Sequence, residues 1–237
     1  MSITKPIFDK VVNLIDSIDK KKILFFFNKF FKDEKLIVID IGGHKGETID
    51  FFLKNFEIFK IYSFEPNKSI CQKLKKKYVS NRKVEIFESA IGESNCEKKL
   101  NLYKDTSSSS FNELNRDSTY FLRKKKLSFD DYIPTKINTR ILTLSNFIKN
   151  KKITNFIDIL KIDTEGYEYK VLQGINKKDF SKVKFIYFEH HYNNMILKNY
   201  KFSEINDLLI KNNFSMKKKI RMQFRKSFEY IYKNNNF

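Results

Sequence analysis

Leu36-Ile37-Val38-Ile39-Asp40-Ile41-Gly42-Gly43-His44-Lys45-Gly46-Glu47-Thr48 is the stretch on which the fold turns. A run rich in branched apolar residues stops at two glycines, the pattern of a buried parallel strand entering a tight turn. Thr48 to Phe56 then reads as a helix and Ile58 to Phe64 as a second strand ending at Glu65-Pro66. Asn67 caps a further helix reaching Tyr78, and Val84 to Phe87 makes a third strand. Ile157 to Ile162 and Phe185 to Phe188 are two more strands, separated by a helix over Glu168 to Gln173. Strands alternating with helices predict an α/β fold, an open and mostly parallel sheet covered on both faces.

Outside this frame, Ile3 to Phe31 carries apolar residues at three- and four-residue steps and reads as two short amphipathic helices, an N-terminal cap. Phe25 to Phe31 is read as core or subunit contact and Cys71 as a small buried hydrophobe. Leu100 to Tyr103 fits half of a hairpin. Ser215 to Ile220 and Phe228 to Tyr232 pair as a hairpin at one sheet edge. Between Lys104 and Thr139 order thins into a serine run, a basic run and Asp130-Asp131-Tyr132-Ile133-Pro134, as in functional or disordered stretches.

With 237 residues, 41% apolar, the chain can build one sizeable core. Two cysteines exclude a disulfide framework, and no Cys/His spacing resembles a zinc site, so no metal is expected. No apolar run approaches the roughly 20 residues of a membrane span, and residues 1 to 20 show no secretory pattern, so the cytoplasm is the expected compartment. A net charge of +19 would ordinarily suggest an anionic partner. Here 41 cations are lysine and only 6 arginine, and Lys, Asn, Ile and Phe make up half the chain. All four are encoded by A/T-rich codons, so composition explains the excess, whereas phosphate recognition favours arginine forks. The basic clusters Lys73 to Lys77, Arg123 to Lys126 and Lys217 to Arg225 are read as solvated faces.

Asp40-x-Gly42-x-x-x-Gly46 differs from the Gly-x-Gly-x-x-Gly that cradles a pyrophosphate. An acidic residue at the strand end suits an ammonium group better than a phosphate; the alternative is a tight turn with Asp40 capping backbone amides. Glu65, 19 residues beyond Gly46, can accept hydrogen bonds from both hydroxyls of a ribose. Together the two motifs point to an adenosine-bearing cofactor. Glu88-Ser89-Ala90 at the third strand's end could meet its adenine, and Asp163-Thr164-Glu165-Gly166 places two carboxylates at another strand's carboxyl end.

These segments, with Val38 to Gly46, Phe64 to Asn67, Ser89 to Gly92, the Ser-rich Ser107 to Leu114, Thr143-Leu144 and above all Leu160 to Glu168 with Val171 to Gly174, resemble the FkbM-type S-adenosylmethionine-dependent methyltransferases. The resemblance covers roughly Leu36 to Glu189. It implies a class I methyltransferase (Rossmann-like) fold with a mostly parallel seven-stranded sheet. The domains expected are the helical cap at 1–35 and a methyltransferase domain at 36–237, with 104–139 a variable acceptor-side region. It implies S-adenosyl-L-methionine as cofactor, with Asp40, Gly42, Gly43, His44 and Gly46 around the methionine part, Glu65 and Pro66 at the ribose, and Glu88, Ser89 and Ala90 at the adenine. The expected acceptor is a hydroxyl on a sugar, glycan or related small molecule. His44 stands where the family usually has Asn, and Ser145 where it often has Asp.

An acceptor hydroxyl must lose its proton, and the candidates for a base are Asp163, Glu165, Glu189, His190 and His191. A share of the work by Glu165 and His190 is favoured, with Asp163 holding cofactor or acceptor; the alternative for both histidines is a polar strand end. Rival functions are an RNA ribose 2′-O-methyltransferase using the basic surface and a lysine-rich binding protein without turnover.

Overall fold

The computed structural model describes residues 18–104, 106, 109–128, 132–222 and 226–237. The first part of the expected cap, Ser107 and Ser108 of the serine run, Asp130-Asp131 and the hairpin tip lie outside them. Helix α1 (18–27) leads to β1 (Leu36–Ile41), α2 (Glu47–Asn55), β2 (Ile58–Phe64), α3 (Lys68–Lys77) and β3 (Val84–Phe87). Asn67 caps α3 as expected, its side chain accepting from the N–H groups of Ser69 and Ile70 at 3.0 and 3.4 Å. After β4 (Ala90–Ile91), β5 (Cys96–Leu102), α4 (Thr119–Ser128), β6 (Thr135–Leu142) and α5 (Leu144–Asn150) come β7 (Ile157–Ile162), α6 (Glu168–Gln173), α7 (Lys177–Phe180), β8 (Val183–His191), α8 (Phe202–Lys211), β9 (Phe214–Arg221) and β10 (Ser227–Asn234).

Seven strands form one sheet in the order β3-β2-β1-β7-β8-β10-β9. The first five are mutually parallel, and the terminal hairpin adds β10 antiparallel to β8 with β9 at the edge. This is the class I methyltransferase architecture. Two crossovers build outward from β1 to β3, then the chain returns to the other side of β1 with β7. The order therefore reverses between β1 and β7, and a crevice opens at their carboxyl ends, where open α/β sheets hold ligands.

One sheet face packs Ile39, Leu160, Ile186 and Phe188 under α5, α6 and α8. The other packs Val38, Ile159, Phe185 and Ile231 with Ile49, Phe52 and Leu74, and α1 closes it. Phe27 of α1 is fully buried, its ring 5.6 Å from that of Phe185 and 6.2 Å from that of Tyr187.

Leu100 lies in β5, whose ladder partner is the distant β6, antiparallel to it, while Asn101 also bridges Ser110 locally; β4 completes a separate three-stranded sheet. The stretch 104–139 contains α4 and the start of β6. Its own apolar signal is sparse because its order comes from elsewhere: Phe121 packs with Tyr103, Tyr132, Met195 and Ile196. Among the described residues no helix is long and apolar enough to cross a membrane, and no side-chain group could hold a metal ion.

Candidate active site

The β1–α2 turn is shaped by how closely two strands meet. Asp163 N–H donates to the Ile41 carbonyl at 2.9 Å, and a Cβ on Gly42 would lie 1.9 Å from the Asp163 carbonyl oxygen. Gly42 also has φ +97°, so only glycine fits. Past it, the His44 N–H donates to Glu65 Oε2 at 2.9 Å while the Asn67 N–H donates to Glu65 Oε1 at 2.8 Å. The carboxylate is thus fixed from both sides, with one hydrogen bond on each oxygen and further lone pairs left over. Burial pushes its pKa up.

His44 does more than its backbone contact. Its Nε2 lies 3.0 Å from Thr106 Oγ1 and its Nδ1 3.4 Å from Glu47 Oε1, tying the turn to the segment that follows β5. The hydrogen bond that the imidazole donates to Glu47 raises the imidazole pKa. At the other departure from the family pattern, Ser145 Oγ accepts from the Asn176 N–H at 2.9 Å, so a loop contact is made by a hydroxyl.

A cavity of about 340 Å³ opens over these groups. Gly42, Gly43, His44, Glu65, Pro66, Ala90, Asp163 and Glu165 line it. Asp40, Gly46, Glu88, Ser89 and His190 do not. Asp40 is wholly buried beneath the turn, where its Oδ2 accepts from Ser63 Oγ at 2.7 Å rather than from backbone amides. Gly46 packs against Tyr78, whose hydroxyl would sit 2.4 Å from an added Cβ. Glu88 is exposed and Ser89 is buried away from the cavity.

At the far end the structure gathers groups from three strands. Lys161 of β7 is 3% exposed, lies 3.3 Å from Asp163 Oδ2 and sits over the Tyr187 ring at 4.4 Å. Burial opposes its charge, but Asp163, Glu229 and Glu189 more than offset this and raise its pKa. Tyr187 donates to Glu229 Oε1. His191 Nε2 is 3.4 Å from Glu165 Oε2 and 3.6 Å from Glu189 Oε1, and these carboxylates raise its pKa against the effect of burial.

The expected partnership of Glu165 with His190 is corrected here. Successive residues of β8 point to opposite sheet faces. His190 therefore lies with Tyr192, Tyr200 and Phe202 on the face away from the cavity, and burial drops its pKa to about 3. His191 meets Glu165 instead.

Lys161, Tyr187 and Glu229 were absent from the sequence reading. The signal available was a charge flanked by apolar residues within a strand, Lys161 between Leu160 and Ile162 and Glu229 between Phe228 and Tyr230. Among the described residues the cavity lining carries seven carboxylates (Asp19, Glu47, Glu65, Asp163, Glu165, Glu189, Glu229) and two lysines (Lys20, Lys161). On a chain of net charge +19 that is a reversal of sign, suited to a cation.

Residues 40–216 match the family model of the methyltransferase FkbM domain. The chain belongs to the FkbM methyltransferase family. Among solved structures, a candidate rRNA methylase from Clostridium thermocellum is similar at 9% identity over 91% of this chain and 94% of that one, with a TM-score of 0.50. Magnesium protoporphyrin IX methyltransferase from Synechocystis, crystallised with S-adenosylmethionine, is similar at 10% identity over 99% of this chain and 86% of that one, with a TM-score of 0.49. At such identities the likeness concerns the fold. No curated protein matches the sequence.

In this FkbM methyltransferase the site therefore has two ends: a backbone-braced carboxylate beside a glycine turn, and a buried acidic cluster around one lysine. The first can hold a diol, and the second can face a cation or accept a proton.

Proposed function

We propose that this FkbM methyltransferase transfers a methyl group from S-adenosylmethionine to a hydroxyl oxygen of a sugar, glycan or related small molecule in the cytoplasm. The observation that carries the reading is the carboxylate-rich cavity beside Glu65: its charge opposes that of the chain and complements a sulfonium cation. When bound, that cofactor supplies an already activated methyl group, so the protein's work is alignment, worth about 7–11 kcal/mol in such a step, and removal of a proton.

Glu65 holds the ribose through the lone pairs left free by the His44 and Asn67 N–H groups. Gly42 and Gly43 let the backbone run beside the cofactor, Pro66 and Ala90 border the nucleoside, and Asp163 faces the amine or the acceptor. Glu165, held by His191, orients the acceptor hydroxyl. Residues 1–35 act as a cap on a catalytic domain spanning 36–237, and 104–139 supplies acceptor contacts. An RNA acceptor would bring a phosphate backbone toward the carboxylates that line the cavity, which disfavours it.

The test is calorimetry of S-adenosylmethionine with the wild-type protein and Glu65→Ala. Two hydrogen bonds to a charged acceptor, about 1.5–3 kcal/mol each, predict at least a tenfold loss of affinity. Unchanged affinity in a folded variant would remove the ribose assignment.

A further inference from the structure

Glu189 of β8 and Glu229 of β10 stand directly opposite each other in the antiparallel ladder. Like charges at facing positions destabilise a sheet, and these two are buried, 5% and 7% exposed. Each keeps an oxygen without a hydrogen bond, Oε1 of Glu189 and Oε2 of Glu229, and both residues line the cavity. The β8–β10 pairing runs from Ser227 opposite His191 to Lys233 opposite Phe185, so the strands do not need this pair to hold their register.

The surrounding charges fix what the pair can do. From β7 come Lys161 and Asp163, and from β8 Tyr187 and His191. From β1 comes Asp40, beside Lys161 in register, and from α1 Asp19 and Lys20, which line the same cavity. From β9 the residue facing Glu229 is the apolar Ile220. Lys161 is the lysine buried among Asp163, Glu189 and Glu229, and it cannot neutralise all three. In the absence of a further cation a proton is retained: burial pushes Glu229 up to about 7, with Glu189 adding to the rise and Lys161 opposing it.

We propose that the Glu189–Glu229 pair is the proton store of methyl transfer, giving up one proton when the sulfonium binds and accepting the acceptor's hydroxyl proton when that charge disappears. The inference rests on the function proposed above. In the transfer the acceptor O–H bond breaks and an O–C bond forms, while the C–S bond breaks and leaves its electron pair on sulfur. The proton goes to a carboxylate oxygen of the pair, so the site loses the cofactor's positive charge and gains a proton, and its net charge is conserved. No extra charge is left buried at any stage, and the neutral thioether product leaves a site that has already been neutralised.

The test needs no knowledge of the acceptor. Binding of S-adenosylmethionine and of S-adenosylhomocysteine to the full chain is measured by calorimetry at about pH 6 and about pH 8, in buffers of different ionisation enthalpy, to count protons. The cofactor should release close to one proton at the lower pH and the thioether none, and the affinity ratio of the two should rise about tenfold between the two pH values. Glu229→Gln, which keeps an acceptor for the Tyr187 hydroxyl, should abolish both effects; Glu189→Gln should weaken them. Equal proton counts for the two wild-type ligands would overturn the assignment even if neither variant folds, and so would proton release that survives in both variants. If neither ligand binds the wild-type protein, the methyltransferase reading falls and takes this inference with it.

Discussion

Asp40 sits at the centre of the sheet with one hydrogen bond, from Ser63, and its Oδ1 makes none. Burial raises its pKa from 3.8 to about 7. A folded-state pKa above the unfolded value means that the native protein binds the extra proton, so stability is full below about pH 4 and is lost as pH rises through about 7. Glu229 acts in the same direction. Glu47 acts in the opposite one: burial pushes it up, yet the His44 hydrogen bond and backbone N–H groups hold it at about 2, so its contribution is lost as pH falls. Asp40→Asn should therefore flatten the decline in melting temperature between about pH 4 and pH 7 and stabilise the protein at about pH 8 by up to about 4 kcal/mol. A wild-type melting curve that climbs across that window, with no change in the variant, would contradict the assigned environment. Gly42→Ala is predicted to prevent folding or cofactor binding, because its Cβ would lie 1.9 Å from a backbone oxygen that has nowhere to move.

At the scale of elements, α1 and the terminal hairpin decide what the cavity is. Helix α1 brings Asp19, Lys20 and Ile23 to the cavity and inserts Phe27 beside Phe52, Phe185 and Tyr187. Phe27→Ala should cost about 3–5 kcal/mol in urea unfolding, the usual penalty for emptying a buried aromatic site. A loss under about 1 kcal/mol would mean that α1 is not part of the cooperative unit. The hairpin, by placing β10 rather than β9 beside β8, is what delivers Glu229 to the site. Without that order the acidic cluster would lack a member.

For the whole molecule, the distribution of charge matters more than its sum. Lysines dominate the surface, as on α3 and β9, while carboxylates converge on the cavity. Such a surface attracts polyanions through counterion release, a term that salt removes. A short RNA should accordingly bind with about micromolar affinity or weaker near physiological ionic strength, lose most of that affinity by moderate salt and gain no methyl group. Tight binding that persists in salt, with methylated RNA as product, would move the acceptor to the nucleic-acid class.

The parts legible in the sequence were those determined by neighbours along the chain. The β1 run and its glycines, Glu65 before Pro66, Asn67 as a cap and the Asp163–Gly166 turn each carry their own local physics, and together they specify the sheet and one end of the site. Tertiary structure alone decided the other end. Period two along β8 says that His190 and His191 face opposite ways, but only the packing of α8 on one face and α1 on the other assigns His191 to Glu165. Nothing local pairs Cys96–Leu102 with a strand some 40 residues on, because the ladder partner of β5 is β6, a pairing that no neighbour along the chain specifies. Glu229 meets Glu189 through hairpin register and Lys161 meets both through strand order, two non-local quantities that composition and periodicity do not contain.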